Sequence, residues 1–573
     1  MRCIFPRKLI PSIEVACFTE LVYIVSNMRA WSVIAAVAGA LLVLHAGPAH
    51  ATPEPWADDD PSAPPSRVVV GDYGFRGGAE YRANALAIKP LSLNTETDRN
   101  AGYITHRLRL DGTVDYLDKI RITTSIDALD GVIWGDNGTL GSDPEPTSGA
   151  HVNTSNPNNA TVCMRLQPGK NPLQTDSYAF GVCPAENLFV RRLYGDIVTP
   201  IGLFRIGRQP TTDGMGIAVT DGDGRRNRFG FANRGNSSDR VLFATKPLEA
   251  FKLHPDPSES RGAFLILAYD HLVTGKPQSF GGQLHNWITA VRVLAPRVGP
   301  VRDLEARVFH AYRWDSTYDT GVNAVGTRLT GHLGKLFTGF DLVGVFGSTR
   351  EVSEAFRVIT NDPPVSQAVR QFGARWSARY DRPKWSAYLE ADYASGDSDP
   401  SPRSQLTQFR FAEDANVGLL LFKHVLAYQT ARAAAAAVEI LRSLHAPTYP
   451  VEAIDSRGAF TNALAIFPQM DFRPWKDILF RGGVLFAWAP SRMLDPVASL
   501  QRKNGTGDYV NFVGGVPGTY YGTELDGRFQ WRAMEHFAFD LEAALLFPGS
   551  ALQDADHHAV RAGMVQGRTT FFF

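Results

Sequence analysis

The most constraining feature of this sequence is a two-residue alternation of polar and apolar side chains. Over 371–380 one set of alternate positions reads Gln, Gly, Arg, Ser, Arg and the other reads Phe, Ala, Trp, Ala, Tyr. Segment 386–393 repeats the pattern after the turn 381–383, which contains Asp and Pro. Because successive side chains of a strand point to opposite faces, this stretch predicts a β-hairpin with one polar and one apolar face.

The alternation recurs along the chain and predicts about 18 strands, each near the ten-residue length of a tilted membrane strand. The predicted strand centres are Tyr81, Leu108, Thr123, Arg192, Arg205, Phe243, Ile266, Ala290, Arg307, Leu329, Val343, Arg375, Leu389, Leu464, Val484, Leu525, Leu541 and Gln566. We therefore expect an all-β protein.

The connections between these strands fall into a short and a long class, which alternate along nearly all the chain. The short class is 115–118, 198–202, 334–338, 381–384, 473–476 and 534–536, and the long class is 136–186, 210–238, 350–366, 396–457 and 491–518. Outer-membrane barrels have tight periplasmic turns and long extracellular loops, whereas a sandwich or propeller has no reason to sort its loops. The pattern predicts a transmembrane antiparallel β-barrel over residues 67–573 of a Gram-negative outer membrane.

The two ends of the chain agree with export to that membrane. Residues 28–51 have one arginine, an apolar stretch and a small-residue cleavage site, which predicts a signal peptide. Residues 1–27 form an upstream extension, so that either Met1 or Met28 is the start, and 52–66 predict a disordered periplasmic lead-in. The chain ends on an amphipathic strand with a terminal aromatic, Phe573, which resembles the signal that the barrel assembly machinery binds.

Charge and cysteine content narrow the classes further. The 58 basic side chains equal the 58 acidic ones, which gives no reason to expect nucleic-acid binding. Mean hydropathy is −0.15, as expected when only every second residue of a strand faces lipid. Cys163 and Cys183, which remain after the signal region, predict a disulfide within one long loop, with a metal pair as the alternative.

One segment breaks the strand pattern. Residues 416–444 contain a run of alanines and have helical composition, although charged residues interrupt it. We place it in the longest loop, as a helix that packs over or into the barrel mouth or lies on the surface without function.

Particular motifs resemble a known family. The stretch RIGRQP at 205–210, followed by DGMGIAVTDGDG, is similar to a glycine-rich motif of large barrels from myxobacteria and other deltaproteobacteria. The stretches ASGD at 394–397, FRFAEDANVGLLLF at 409–422, YGTELD at 521–526 and FPG at 547–549 resemble the alginate-export porins. The resemblance implies a monomeric barrel of 18 strands with a polar, charged lumen, without implying alginate as the solute.

The polar faces of the strands supply the candidate solute path. The chosen residues are Arg107, Arg109, Arg192, Arg307, Arg375, Arg379, Arg528, Arg532, Glu390, Asp392, Glu524 and Asp526. The guanidinium fork of arginine suits carboxylates, so these groups could pass an anionic sugar or carboxylate. The alternative is that the charges pair across neighbouring strands and brace the lumen.

Other constellations give weaker candidates. Asp221 and Asp223, and likewise Asp397 and Asp399, resemble parts of a calcium loop but lack its full pattern, so plain turns are favoured. The adjacent His557 and His558 form a poor metal site. His106 on the expected lipid face hints at a barrel hydrolase, but no matching serine motif is present, and we expect neither an enzyme nor a cofactor.

The sequence thus predicts an outer-membrane porin for polar, anionic solutes such as sugar acids or polysaccharide. Loops 210–238 and 396–457 are expected to gate it. Its partners would be outer-membrane lipid, the assembly machinery and a small solute. The alternative is a cell-surface binding or adhesion barrel with a plugged lumen.

Overall fold

The structure is a computed structural model. It describes residues 67–93, 100–135, 152–156, 159–162, 164–167, 177–180, 186–210, 215–219, 227–231, 237–251, 261–272, 285–316, 318–445, 454–504, 507–534 and 536–573. The predicted signal peptide, the lead-in 52–66, Cys163, Cys183, Asp221 and Asp223 lie outside these described residues.

The described chain is dominated by antiparallel strands. The first eleven are β1 (Arg67–Val70), β2 (Tyr73–Lys89), β3 (Ala101–Tyr116), β4 (Ile120–Gly135), β5 (Val152–Asn156), β6 (Asn159–Val162), β7 (Met164–Gln167), β8 (Ser177–Phe180), β9 (Glu186–Thr199), β10 (Gly202–Pro210) and β11 (Ser237–Thr245). The rest are β12 (Gly262–Leu272), β13 (His285–Val298), β14 (Val301–Asp315), β15 (Thr320–Leu333), β16 (Leu336–Thr349), β17 (Gln367–Asp381), β18 (Trp385–Ala394), β19 (Ala463–Trp475), β20 (Ile478–Trp488), β21 (Tyr520–Met534), β22 (Phe537–Pro548) and β23 (Ala562–Phe572).

Eighteen of these strands close into one barrel. Each of β2–β4 and β9–β23 pairs with its neighbours in chain order, and β23 returns to pair with β2. At this seam the N–H and C=O groups of Ala79 and Phe573 bond to each other. β1 pairs only with the start of β2, beside the end of β23. The predicted transmembrane antiparallel barrel is confirmed, and every predicted strand centre lies in a barrel strand.

The outer face of the barrel is apolar. Large hydrophobic side chains that are exposed to the surroundings alternate with buried ones, and they include Ile122, Ile206, Trp287, Phe372 and Leu525. On β17, for example, Phe372 and Trp376 point outward while Arg375 and Arg379 are buried. The barrel therefore has apolar side chains outside and charged side chains inside, the reverse of a water-soluble protein and the arrangement that lipid requires.

The connections sort to the two ends of the barrel almost as predicted. At the short-turn end, tight turns join β3 to β4, β9 to β10, β13 to β14 and four further pairs. Two connections depart from the rule: 246–261 is long at the short-turn end, and 316–319 is short at the long-loop end. No helix among the described residues is long and apolar enough to span a membrane.

Helices are few and short. They are α1 (Pro247–Ala250), α2 (Glu351–Thr360), the π-helical turn Leu421–Leu426, α3 (Ala427–Ser443), α4 (Pro496–Asn504) and the 3-10 turn Ser550–Leu552. The predicted helix at 416–444 is thus α3 together with the π-helical turn. Its N-terminal part is buried in the main apolar cluster with lumen-facing residues of β2, β19, β20 and β23. Of the two positions expected for this helix, the structure shows the one inside the barrel mouth.

Candidate solute path in the barrel lumen

The charged residues predicted to face the lumen do lie on its inner wall, but most of them are paired. Arg107, Arg109, Arg375, Arg379, Arg528, Glu390, Asp392, Glu524 and Asp526 are buried, while Arg192, Arg307 and Arg532 are partly buried. Arg532 lies near the short-turn end of β21, and Arg379 donates to Asp381 at 2.7 Å. Their part in a solute path stays a prediction. Their contacts brace the barrel wall, hold the β10–β11 loop inside the lumen and hold the longest loop beside it.

One charge cluster braces β2–β4 and β9. Arg109 donates two hydrogen bonds to Asp127, at 2.6 and 3.0 Å, and Arg107 pairs with Glu80. Arg191 also approaches Asp127, at 3.6 Å. The register of β4 and β9 shifts at this point, so that Arg191 is an extra inward residue that strict alternation does not predict.

A second cluster holds part of the β10–β11 loop inside the barrel. Arg375 donates to Asp392 at 2.6 Å and also to the carbonyl of Met215 at 2.7 Å. The amide of Met215 donates to Asp341 at 3.2 Å. The wall charges in this region therefore bind an inserted backbone as well as one another.

The same loop inserts a second time at residues 227–231. Arg228 donates to Gln469 at 2.6 Å and to Asp471 at 2.8 Å, and its guanidinium lies 4.2 Å from the ring centroid of Tyr388. The carbonyl of Arg228 accepts hydrogen bonds from Arg481 and Arg528, at 2.7 and 3.0 Å. Arg228 is thus the anchor of an inserted segment on the β18–β22 wall.

The longest loop inserts beside it. Glu524 accepts hydrogen bonds from three consecutive amides, those of Leu419, Leu420 and Leu421, at 2.6–2.7 Å. These amides precede and begin the helical turn, where a carboxylate favourably compensates unpaired N–H groups. The buried carboxylate of Asp526 lies beside this site, near Gly418. Glu524 therefore fixes the point at which the helix enters the lumen.

Between the inserted loops and the wall formed by β11–β17 lies a large chamber of about 3720 Å³, including the space where it meets solvent. Of the twelve predicted path residues, only Arg307 lines it. Arg292, Arg307 and Arg328 stand directly opposite one another on β13, β14 and β15, and we call them the arginine row.

Among the described residues, the carboxylates of Glu305 and Asp341 lie close to the three guanidinium groups of the arginine row. Glu305 contacts Arg292 at 2.8 Å and Arg328 at 3.8 Å, and Asp341 is the cross-strand partner of Arg328. Like charges placed directly opposite one another destabilise a sheet. Two such pairs in succession, facing the chamber, are an arrangement that packing alone does not favour.

The rim of the chamber at the long-loop end carries a titratable carboxylate at the start of α2. Burial and the nearby Asp315 raise the pKa of Glu351 to about 7, although Arg313 and a hydrogen bond from Thr320 oppose the shift. This group changes its charge within the physiological pH range, at the entrance to the chamber.

The weaker candidates within the described residues are turn residues, exposed histidines and one histidine on the outer face. Asp397 and Asp399 accept hydrogen bonds from backbone amides of their own turn. Among the residues that the structure describes, no group of three or more His, Cys, Asp or Glu could hold a metal ion, and this covers His557 and His558. His106 lies edge-on to Tyr81, whose ring contacts Phe571 on the outer face.

The family model for alginate export matches residues 78–566, which is nearly the whole barrel. The chain belongs to the alginate export family. It is accordingly an outer-membrane protein of the channel-forming type. A search of curated proteins found no significant match to this chain.

The comparison with solved structures gave matches of low identity over most of the chain. Pseudomonas aeruginosa OccK5 (OpdH) has 9% identity and a TM-score of 0.42, covering 87% of this chain and 98% of its own. Acinetobacter baumannii OccAB1 has 8% identity and a TM-score of 0.46, covering 87% and 97%. P. aeruginosa OccK2 (OpdF), solved in complex with glucuronate, has 10% identity and a TM-score of 0.40, covering 87% and 96%.

Proposed function

We propose that this barrel is a passive channel that selects polar anionic solutes of the carboxylate class, which includes sugar acids. The observation that carries the proposal is the arginine row, because three guanidinium groups face the chamber against the carboxylates of Glu305 and Asp341. Fixed positive charge on a low-dielectric wall raises the local concentration of anions. Diffusion along the β11–β17 wall needs no cofactor.

The other predicted path residues have a different part in this proposal. Arg107, Arg109, Arg375 and Arg528 support the wall and the inserted loops, since their hydrogen bonds go to carboxylates and loop carbonyls. These residues hold the wall and the loops in place, and the arginine row contacts the solute. A monomeric state, lipid contact over the apolar face and assembly through the Phe573 strand complete the proposal.

Uptake into proteoliposomes tests this function. Glucuronate, glucose and glucosamine share one ring and differ in charge, so we expect uptake to fall in that order. The variant Arg307→Gln should reduce the ratio of glucuronate to glucose uptake severalfold. The control Arg297→Gln changes an exposed arginine of the neighbouring strand β13 at the short-turn end and should leave the ratio unchanged. Equal uptake of the three sugars would contradict the proposal.

A further inference from the structure

The inner wall of the chamber is unusual for a channel because its middle band is apolar. Inward positions above the arginine row carry Ile266, Ile288, Phe309, Val322, Val343 and Val345. They occupy five neighbouring strands, β12–β16, and the pairings Ala290–Phe309 and Ala324–Val345 keep them in one continuous band. Their outward neighbours include Trp287 and Val325, which are exposed on the outer face of the barrel.

The loops that face this band contribute apolar surface as well. Leu406, Phe409, Leu426 and Ile454 of the longest loop, together with Met493 and Phe512 of the β20–β21 loop, line the chamber beside polar residues such as Asp397, Asp399 and Arg410. Several wall residues of the band, among them Ile288, Val322 and Val345, stay only partly buried because no described segment fills the space before them. A channel for fully hydroxylated solutes would gain little from an apolar band on its inner wall.

On the barrel wall, charge lies at the two ends of the band. The arginine row lies directly below it, toward the short-turn end, with Phe309 and Arg307 two positions apart and 5.4 Å between ring centroid and guanidinium carbon. Above it, toward the long-loop end, Arg240 forms a bidentate pair with Asp270, and Asn286 donates to Asp270 at 3.4 Å. Apolar walls with a few convergent polar groups are the usual composition of a ligand pocket.

We infer that the chamber is a binding site for amphiphilic carboxylates, whose apolar body packs in the band while the carboxylate binds the arginine row. This inference rests on the proposed function and narrows its solute class. Among anions of equal size, the chamber prefers those without hydroxyl groups, because burying an unpaired hydroxyl against apolar walls is unfavourable.

A matched pair of ligands tests the inference. Cyclohexanecarboxylate and glucuronate both carry one carboxylate on a six-membered ring and differ mainly in their hydroxyl groups. The half-blocking concentration of each is measured on the chloride current of single channels in a planar bilayer, which removes any contribution from leakage through lipid. We expect cyclohexanecarboxylate to block at a concentration at least about tenfold lower, and neutral cyclohexylmethanol to block weakly.

Two valine substitutions locate the effect. The double variant Val322→Thr, Val345→Thr keeps side-chain shape and adds hydroxyls to the band, so it should raise the half-blocking concentration of cyclohexanecarboxylate severalfold and leave that of glucuronate nearly unchanged. Val325→Thr, on the lipid face of the same strand β15, is the control and should change neither value.

The outcomes separate this inference from the proposed function. An anion-selective channel that glucuronate and cyclohexanecarboxylate block equally would overturn the inference and leave the channel intact. If the barrel does not conduct, calorimetric titration of both ligands into the nanodisc-embedded protein decides. Preferential binding of cyclohexanecarboxylate would then support the site while the channel fails, and equal or absent binding would overturn the site as well.

Discussion

At the scale of single residues, the lumen separates two uses of arginine. Arg109, Arg375 and Arg528 each donate two hydrogen bonds to one carboxylate or to a carboxylate and a carbonyl, and they are fully engaged in the wall. The arginine row instead shares Glu305, and Arg292 is 40% exposed at its side chain. Whether an inward arginine supports the wall or faces the chamber therefore depends on its cross-strand partner.

The carboxylate of Glu351 gives a pH prediction at this scale. Its pKa is raised to about 7, so it is ionised at pH 8 and mostly neutral at pH 6. Ionised Glu351 offsets the positive charge of Arg313 at the chamber rim. We therefore expect the anion-to-cation permeability ratio, measured from reversal potentials, to rise as pH falls from 8 to 6. The variant Glu351→Gln should show a high ratio without this slope. An unchanged slope in the variant would assign the pH response to another group.

At the scale of elements, the inserted helix depends on one carboxylate. Replacing Glu524 with alanine leaves the amides of Leu419, Leu420 and Leu421 without their acceptor in a buried position. Each buried amide that loses its partner costs about 1–3 kcal/mol, although water that enters the cavity would offset part of this. We expect Glu524→Ala to lower the midpoint of thermal unfolding and to raise the single-channel conductance as the loop leaves the lumen.

The matched control for this prediction is Glu354→Ala. Glu354 lies on α2, is partly exposed and contacts Arg350 and Arg357 at 3.4–3.9 Å, so its loss should cost little. A Glu524→Ala channel with unchanged conductance and unfolding midpoint would show that the longest loop is held in place without this contact.

The elements themselves were largely predictable from sequence, for a physical reason. Lipid on one side and a polar lumen on the other impose a strict two-residue period, and all predicted strand centres lie in strands as a result. The barrel strands run from 9 to 17 residues, and many are longer than the predicted ten. The β10–β11 loop shows no period, so its insertion and the anchor Arg228 had no sequence signal.

The arginine row was only partly predictable. Arg307 was chosen, and Arg292 and Arg328 share its inward alternation on adjacent strands, but their alignment depends on register. Register is set by the connections 299–300 and 316–319 and by the bulge between Arg302 and Glu305, which the alternation does not show. Arg191 was missed for the same reason, since a bulge turns it inward.

At the scale of the whole molecule, the inserted loops and the barrel wall divide the lumen into two halves. The β18–β23 side and β2 bind the loops through paired charges and an apolar cluster, and the β11–β17 side keeps the chamber open. This asymmetry is why the proposed anion path is assigned to the β11–β17 side, although the chain as a whole has a balanced charge. It also makes the adhesion alternative testable, because a lumen that the loops closed completely would not conduct.

The reversal potential of the refolded barrel in a planar bilayer under a potassium chloride gradient tests the central claim most directly. The account predicts steady conductance with chloride favoured over potassium, and a triple variant Arg292→Gln, Arg307→Gln, Arg328→Gln that folds, conducts and loses this preference. A triple variant as anion-selective as the parent, or a correctly folded barrel without conductance, would contradict it.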